Sequence, residues 1–268
     1  MRVREALAQC GLVPVDAQVL LAHVVERDRS WIVAHRDDEL SKAHADAFFA
    51  LAKRRREGEP VAYLTGVKEF WGLPLRVTPA VLVPRPETET LVELALESIP
   101  RDAHARVLDL ATGSGAVALA IARERPRASV IATDISREAL DVARGNAARL
   151  ALANVDFVES DWWSAVEGRY DAIVSNPPYV AAGDPHLAGD VRFEPRGALV
   201  PPGDAQAALR AIVTRAPEFL VPRGVLAVEH GYDQSDAVQT LMRAAGFDAI
   251  SVRRDLAGIP RVVGGRLP

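Results

Sequence analysis

The sequence predicts an α/β protein: a mainly parallel sheet with helices on both faces, preceded by a small N-terminal helical bundle and a β-hairpin linker. Three observations lead there. From Arg106 onward, short apolar runs alternate with helical patterns, the mark of βαβ units. Before Arg56, apolar residues recur at helical spacing instead. Between the two, short β-like pieces are punctuated by glycine and proline. The 268 residues therefore divide into 1–60, a helical domain, 61–84, a hairpin linker, and 85–268, the α/β domain.

Each element has a local reason. In the bundle, Val19, Leu20, His23 and Val24, and later Phe48, Phe49, Leu51 and Ala52, keep helical spacing, and Pro14 and Ser41 stand where helices start. VAYLTG, KEFWGLPLRV and AVLVP supply the β-like pieces of the linker. Pro86 and Glu87 open a helix running to about Ser98, with proline in the first turn and acids near the positive end of the dipole. Then come RVLDLA, a helix from Gly115, SVIATD, a helix from Ser136, VDFVES and YDAIVSN. A helix from Asp204, GVLAVEH, a helix from Ser235, AISVRRD and RVVGG complete the series. In such sheets ligands bind outside the carboxyl ends of the strands.

Composition narrows the function classes. With 49% hydrophobic and 25% charged residues, the chain reads as an ordinary globular protein. No apolar run approaches the roughly 20 residues a membrane span needs, and MRVREALAQC lacks the apolar stretch of a signal peptide. A cytoplasmic protein with no membrane association is expected. The net charge of -4 argues against a protein that coats nucleic acid, which needs clustered positive charge. Lys53, Arg54, Arg55 and Arg56 form the sharpest basic patch, and they fit the C-terminal end of a helix. Cys10 is alone, so neither an internal disulfide nor a cysteine zinc site is expected, and no metal site is proposed. It reads as a buried small hydrophobe.

The first strand of the α/β domain runs straight into Asp109-Leu110-Ala111-Thr112-Gly113-Ser114-Gly115. Small residues there let a ligand approach the backbone. A lone G-x-G is weak evidence, since several nucleotide-type cofactors use one. Asp109 discriminates better: a carboxylate in that turn repels a pyrophosphate and suits a cation, such as the amino group of S-adenosylmethionine. Asp134 closes the second strand, placed to accept hydrogen bonds from ribose hydroxyls. The third ends in Ser160, Asp161 and Trp162, a polar acceptor and a flat ring for a base. Asp109 and Asp134 have an alternative reading as helix caps, and Trp162 as core.

The fourth strand delivers Ser175-Asn176-Pro177-Pro178-Tyr179. Two adjacent prolines offer no N–H and cannot extend a ladder, so their carbonyls seek other partners. A planar amide or aromatic amine has a delocalised lone pair and is a poor nucleophile. The Asn176 side-chain oxygen and the Pro177 carbonyl can hold its NH2 in line and stabilise the charge that develops on nitrogen. Tyr179 can stack on the planar group.

DLATGSGAVALA, TDIS, SDWW and SNPPY resemble the class I, Rossmann-like methyltransferases that modify planar nitrogens. VAYLTGVKEFWGLPL (61–75), VLVPRPETETLVE (81–93), FEPRGAL (193–199), EHGYDQ (229–234) and DLAGIPRVV (255–263) narrow the resemblance to the HemK/PrmC family, over nearly the whole chain. That resemblance implies N5-methylation of the glutamine in the Gly-Gly-Gln motif of peptide chain release factors, with S-adenosylmethionine as donor. It implies a donor cradle at Ala111, Thr112, Gly113, Ser114 and Gly115, a ribose partner in Asp134 and an adenine neighbour in Trp162. Asn176, Pro177, Pro178 and Tyr179 would grip the glutamine amide. FEPRGAL would be a mobile flap near the substrate, and Arg85, Thr88 and Glu89 would shape the site. The family usually has glycine where this chain has Ala111. The competing readings are an adenine-N6 or guanine-N2 nucleic-acid methyltransferase and a module that holds S-adenosylmethionine without turnover.

Overall fold

A computed structural model describes residues 1–268. They form two compact units, Met1–Val67 with Ala188–Phe193, and Lys68–Leu187 with Glu194–Pro268.

The first unit is helical: α1 (Val3–Gln9), α2 (Pro14–Val25), α3 (Arg29–Ala34), α4 (Lys42–Arg56) and α5 (Val61–Thr65). Pro14 is the first residue of α2, where its missing N–H costs nothing. The Ser41 hydroxyl caps α4 by accepting from the His44 N–H at 3.1 Å. Leu20, Leu21, Ile32 and Phe48 are fully buried together with Cys10, each apolar side chain worth about 1.5–3 kcal/mol. The basic run does close α4, and most of it is used locally. Arg54 chelates Glu59, Arg55 bridges Asp16 and Asp190, and Arg56 donates to the Cys10 carbonyl. Arg192 adds a bond to the Glu57 carbonyl, so the Ala188–Phe193 segment is held at two points.

One sequence expectation fails here. VAYLTG is β-like in composition, yet Val61–Thr65 is helical, because Pro60 starts it, Gly66 at φ +73° ends it, and Leu64 joins the helical core. Burial overrides β propensity. The linker is therefore shorter than residues 61–84.

The boundary falls at the first residue of β1 (Val67–Phe70), which pairs with β2 (Leu73–Arg76) in a hairpin that opens the second unit from Lys68 onward. Trp71 and Gly72, at φ +52° and +68°, form its two-residue turn, whose positive φ angles match the twist of paired strands. AVLVP makes no strand: the Val83 N–H, which a ladder would need, donates to the Glu194 carboxylate at 2.9 Å instead. After α6 (Glu89–Ser98) come β3 (Arg106–Leu110), α7 (Ala116–Glu124), β4 (Ser129–Asp134), α8 (Arg137–Arg149), β5 (Val155–Glu159) and β6 (Tyr170–Ser175). The chain ends with α9 (Arg196–Leu199), α10 (Ala207–Phe219), β7 (Leu220–Glu229), α11 (Ser235–Ala244), β8 (Asp248–Arg254) and β9 (Pro260–Arg266).

The seven-stranded sheet has the order β5-β4-β3-β6-β7-β9-β8. β5 through β7 are parallel, and β9 pairs antiparallel with both neighbours. Alternate residues of β3 face opposite ways. Val107 packs with α6 and α7 residues such as Leu91 and Val117, while Leu108 and Leu110 pack with Leu209 and Ile212 of α10 and Val238 of α11. The order reverses between β3 and β6, which opens a crevice at their carboxyl ends.

Candidate active site

A cavity of about 360 Å³ lies at those strand ends. Its wall takes Asp109, Ala111, Thr112, Gly113 and Ser114 from the turn after β3, Asp134 from β4, Asp161 and Trp162 from beyond β5, and Asn176 and Pro178 from beyond β6. Four consecutive strand ends thus converge on one space.

Asp109 is 1% exposed. It accepts the Thr112 hydroxyl at 2.6 Å and the Ala118 N–H at 3.2 Å, yet burial outweighs those bonds and pushes its carboxyl up to about 7. Asp134 is raised by burial too, moderated by N–H groups from Ser136 and Gly113, each 2.9 Å from a carboxylate oxygen. Two carboxylates facing one cavity fit a ligand that carries positive charge and hydroxyls. At Gly113, φ is +56° and an added Cβ would meet nothing within 4 Å, so the turn is open on the side of the cavity.

Ala111 has φ +59°, a left-handed conformation that penalises a Cβ. Replacing it with glycine removes that strain at the cost of greater unfolded-state freedom. We expect Ala111→Gly to raise stability by about 0.5–1 kcal/mol, measured by urea unfolding. Trp162 is also left-handed, at φ +48°, which is rare for a bulky residue and concentrates at functional sites. Ser160 holds it there by donating to the Trp162 carbonyl at 2.8 Å.

Four site residues expected from the sequence are not on the cavity wall: Glu89, whose carboxylate accepts the Trp71 N–H at 2.9 Å, Gly115, Pro177 and Tyr179. Gly115 is the N-cap of α7 at φ +83°, and a Cβ there would lie 3.1 Å from Leu119 and 3.2 Å from Ala143; it lets α7 pack closely. Pro177 is buried. Tyr179 donates its hydroxyl to Glu229 at 3.0 Å, and its carbonyl accepts from Gln234 at 3.1 Å. Its ring, partly buried, packs against the apolar cluster of Leu108 and Leu110, so in this structure it braces the loop.

Ile135 joins the wall without having been singled out, and parts of FEPRGAL reach it with Arg85 and Thr88 as expected. Ile135 is 67% exposed yet lines the cavity directly after Asp134; its signal was an apolar residue between a strand-end acid and a helix cap. Pro195, Gly197 and Ala198 bring FEPRGAL over the space beside Arg85 and Thr88. Glu194, buried, pairs with Arg85, so the root of this segment is anchored. Asn146 on α8 is fully buried and satisfied, accepting the Arg76 N–H at 2.7 Å and donating to the carbonyls of Arg76 and Ser114 at 3.0 and 2.9 Å. It ties hairpin to glycine turn. Asn146→Ala strands those groups and should cost about 2–4 kcal/mol, read as an earlier denaturant midpoint.

Comparison with known proteins shows the family of this chain. Residues 1–66 match the model of the PrmC N-terminal domain, and residues 88–193 that of the methyltransferase small domain. The release factor glutamine methyltransferase of Burkholderia pseudomallei is 51% identical, the alignment covering 98% of this chain and 95% of that one. The chain belongs to the release factor glutamine methyltransferase family. Its Bordetella pertussis member is 50% identical, with 99% of both chains covered. The fold extends further: a methyltransferase from Pyrococcus furiosus shares it at 19% identity and a TM-score of 0.56, covering 80% of this chain and 96% of that one. No helix is long and apolar enough to cross a membrane.

Proposed function

We propose that this chain transfers a methyl group from S-adenosylmethionine to the side-chain amide nitrogen (N5) of the glutamine in the Gly-Gly-Gln motif of peptide chain release factors, in the cytoplasm. The observation that carries this reading is Asn176 on the wall of the same cavity as Asp109 and Asp134, in a chain of this family. The donor fits the residues present. Buried Asp109 is suited to an ammonium group, Asp134 to ribose hydroxyls, and Trp162 and Ile135 to a flat base between apolar surfaces. Ala111, Thr112, Gly113 and Ser114 form the cradle.

When bound, S-adenosylmethionine supplies an electrophilic methyl group on a sulfonium. The chain's own work is orientation and charge stabilisation. The Asn176 Oδ1 on the wall and the carbonyl of Pro177, which is buried between the wall residues Asn176 and Pro178 and is reached only as the substrate enters, accept the two N–H groups of the substrate amide, hold its nitrogen in line and stabilise the charge it gains. No strong base is demanded, because the proton leaves readily to water from a cationic nitrogen. The helical domain serves to dock the release factor, since no residue of the donor cavity comes from it.

The test offers methyl-labelled S-adenosylmethionine, in separate reactions, to release factor, its Gln→Ala variant, DNA and RNA. Label is expected only in the unaltered release factor. Label in nucleic acid and not in release factor would overturn the proposal.

A further inference from the structure

Glu229, the last residue of β7, is 1% exposed and has no role in the chemistry described so far. Its Oε1 accepts the Tyr179 hydroxyl at 3.0 Å, and its Oε2 is buried without a hydrogen-bond partner. The Thr88 hydroxyl lies near enough to favour the ionised carboxylate, without completing a hydrogen bond to Oε2. Thr88 in turn accepts from the Asn176 Nδ2 at 3.1 Å. A buried carboxylate, a hydroxyl and the proposed catalytic amide therefore stand in sequence.

We propose that Glu229 is a positioning residue that fixes the direction of a hydrogen-bond relay through Thr88, and so decides which end of the Asn176 amide faces the substrate. The inference rests on the proposed function. An ionised carboxylate only accepts, whereas a hydroxyl gives one proton and accepts others. Ionised Glu229 draws the Thr88 proton towards itself. Thr88 is then an acceptor on its other side, which occupies the Asn176 NH2 and leaves Oδ1 for the substrate. A protonated Glu229 reverses the sense: it donates to Thr88, Thr88 donates to Asn176 Oδ1, and the amide turns its NH2 to the cavity. Two NH2 groups then face each other, and neither accepts.

The charged surroundings set where this reversal falls. Burial is the largest influence on Glu229 and pushes its carboxyl up to about 7. Thr88, Tyr179 and Arg261 of β9 favour the ionised form, while Glu87 opposes it. Arg261 is itself paired with Asp255 at 2.8 Å. Neighbouring His230 is buried, with its Nδ1 2.7 Å from the Gly231 carbonyl and burial lowering its affinity for a proton. Tyr179 is held neutral by burial and by Glu229, so it remains a donor. The sign follows: the productive orientation is lost as pH falls through about 7.

The experiment measures kcat for release factor methylation at saturating donor across about pH 5.5–9, with donor affinity by calorimetry. The parent should show an acid limb in kcat. Glu229→Gln, whose amide can donate to Thr88, should lower kcat about 10- to 100-fold, lose the acid limb and keep donor affinity within about twofold. Thr88→Val should lower kcat similarly, Thr88→Ser should restore most of it, and Tyr179→Phe should move the limb to higher pH. If the parent transfers no methyl to release factor, the proposed function fails. If the parent is active and Glu229→Gln keeps both its kcat and its acid limb, only this inference falls. Should Glu229→Gln not fold, the threonine pair decides: parent kcat in Thr88→Val would overturn the relay.

Discussion

Asn176→Ala should lower the methylation step by about 10²- to 10³-fold, the range for loss of one preorganised transition-state hydrogen bond. The Pro177 carbonyl remains, so a poorly held amide still meets the methyl group occasionally. Donor binding should change little, because Asp109 and Asp134 come from other strands and keep their bonds to Thr112, Gly113 and Ser136. The fold should lose about 1 kcal/mol, since Thr88 gives up only the single bond from Nδ2. Single-turnover methylation of release factor, paired with a donor titration, separates these effects. Methylation at the parent rate would reduce SNPPY to a strand-terminating loop. A pure loss of donor affinity would make Asn176 a cofactor ligand alone.

Donor affinity should fall steeply on acidification. Asp109 has its carboxyl pushed up to about 7 by burial, against the bonds from Thr112 and Ala118 and with a small contribution from Asp134. A cationic amino group needs the ionised form and, once bound, pulls that carboxyl back down. Below about pH 7 the competent fraction shrinks about tenfold per unit, so binding should be about 100-fold weaker at pH 5 than on the plateau above pH 8. Binding should also release a proton in that window. Asp109→Asn should bind weakly and without this dependence. Calorimetry in buffers of different ionisation enthalpy reads both affinity and proton release. A parent affinity constant from pH 5 to 8 would remove Asp109 from contact with the donor's amino group. Because this limb lies in donor affinity and that of Glu229 in kcat at saturation, the two titrations are separable.

The sheet and the front of the site were legible because both depend on local pattern. Alternating apolar runs located β3 to β7, and the residues that close each run, Asp109, Asp134, Asp161 with Trp162, and Asn176, proved to share one cavity. What was not legible depends on contacts distant in sequence. Val61–Thr65 is helical because Leu64 finds the core of a helical bundle, and no window around it carries that information. Residues 80–84 fail as a strand because Glu194, far along the chain, takes the Val83 N–H. Tyr179 was assigned by the chemistry its ring permits, whereas its hydroxyl is captured by Glu229. The turn at 109–115 invites a single role for its glycines, yet Gly113 borders open space on the cavity wall and Gly115 lets a helix pack closely. Ala111 shows the limit from the other side: its identity is visible in the sequence, its left-handed backbone is not.

The helical unit is discontinuous, since six residues from the middle of the α/β sequence, Ala188–Phe193, are counted within it. Arg55 and the Glu57 carbonyl are the groups that hold them. A chimera that exchanged only the first 67 residues would sever a pairing made by two stretches of gene more than a hundred codons apart. Grafting would succeed only if the donor sequence brought both pieces, or happened to supply a cation opposite Asp190 and a free carbonyl opposite Arg192. In this chain a truncation meant to remove the helices would also strip this short segment of its partners.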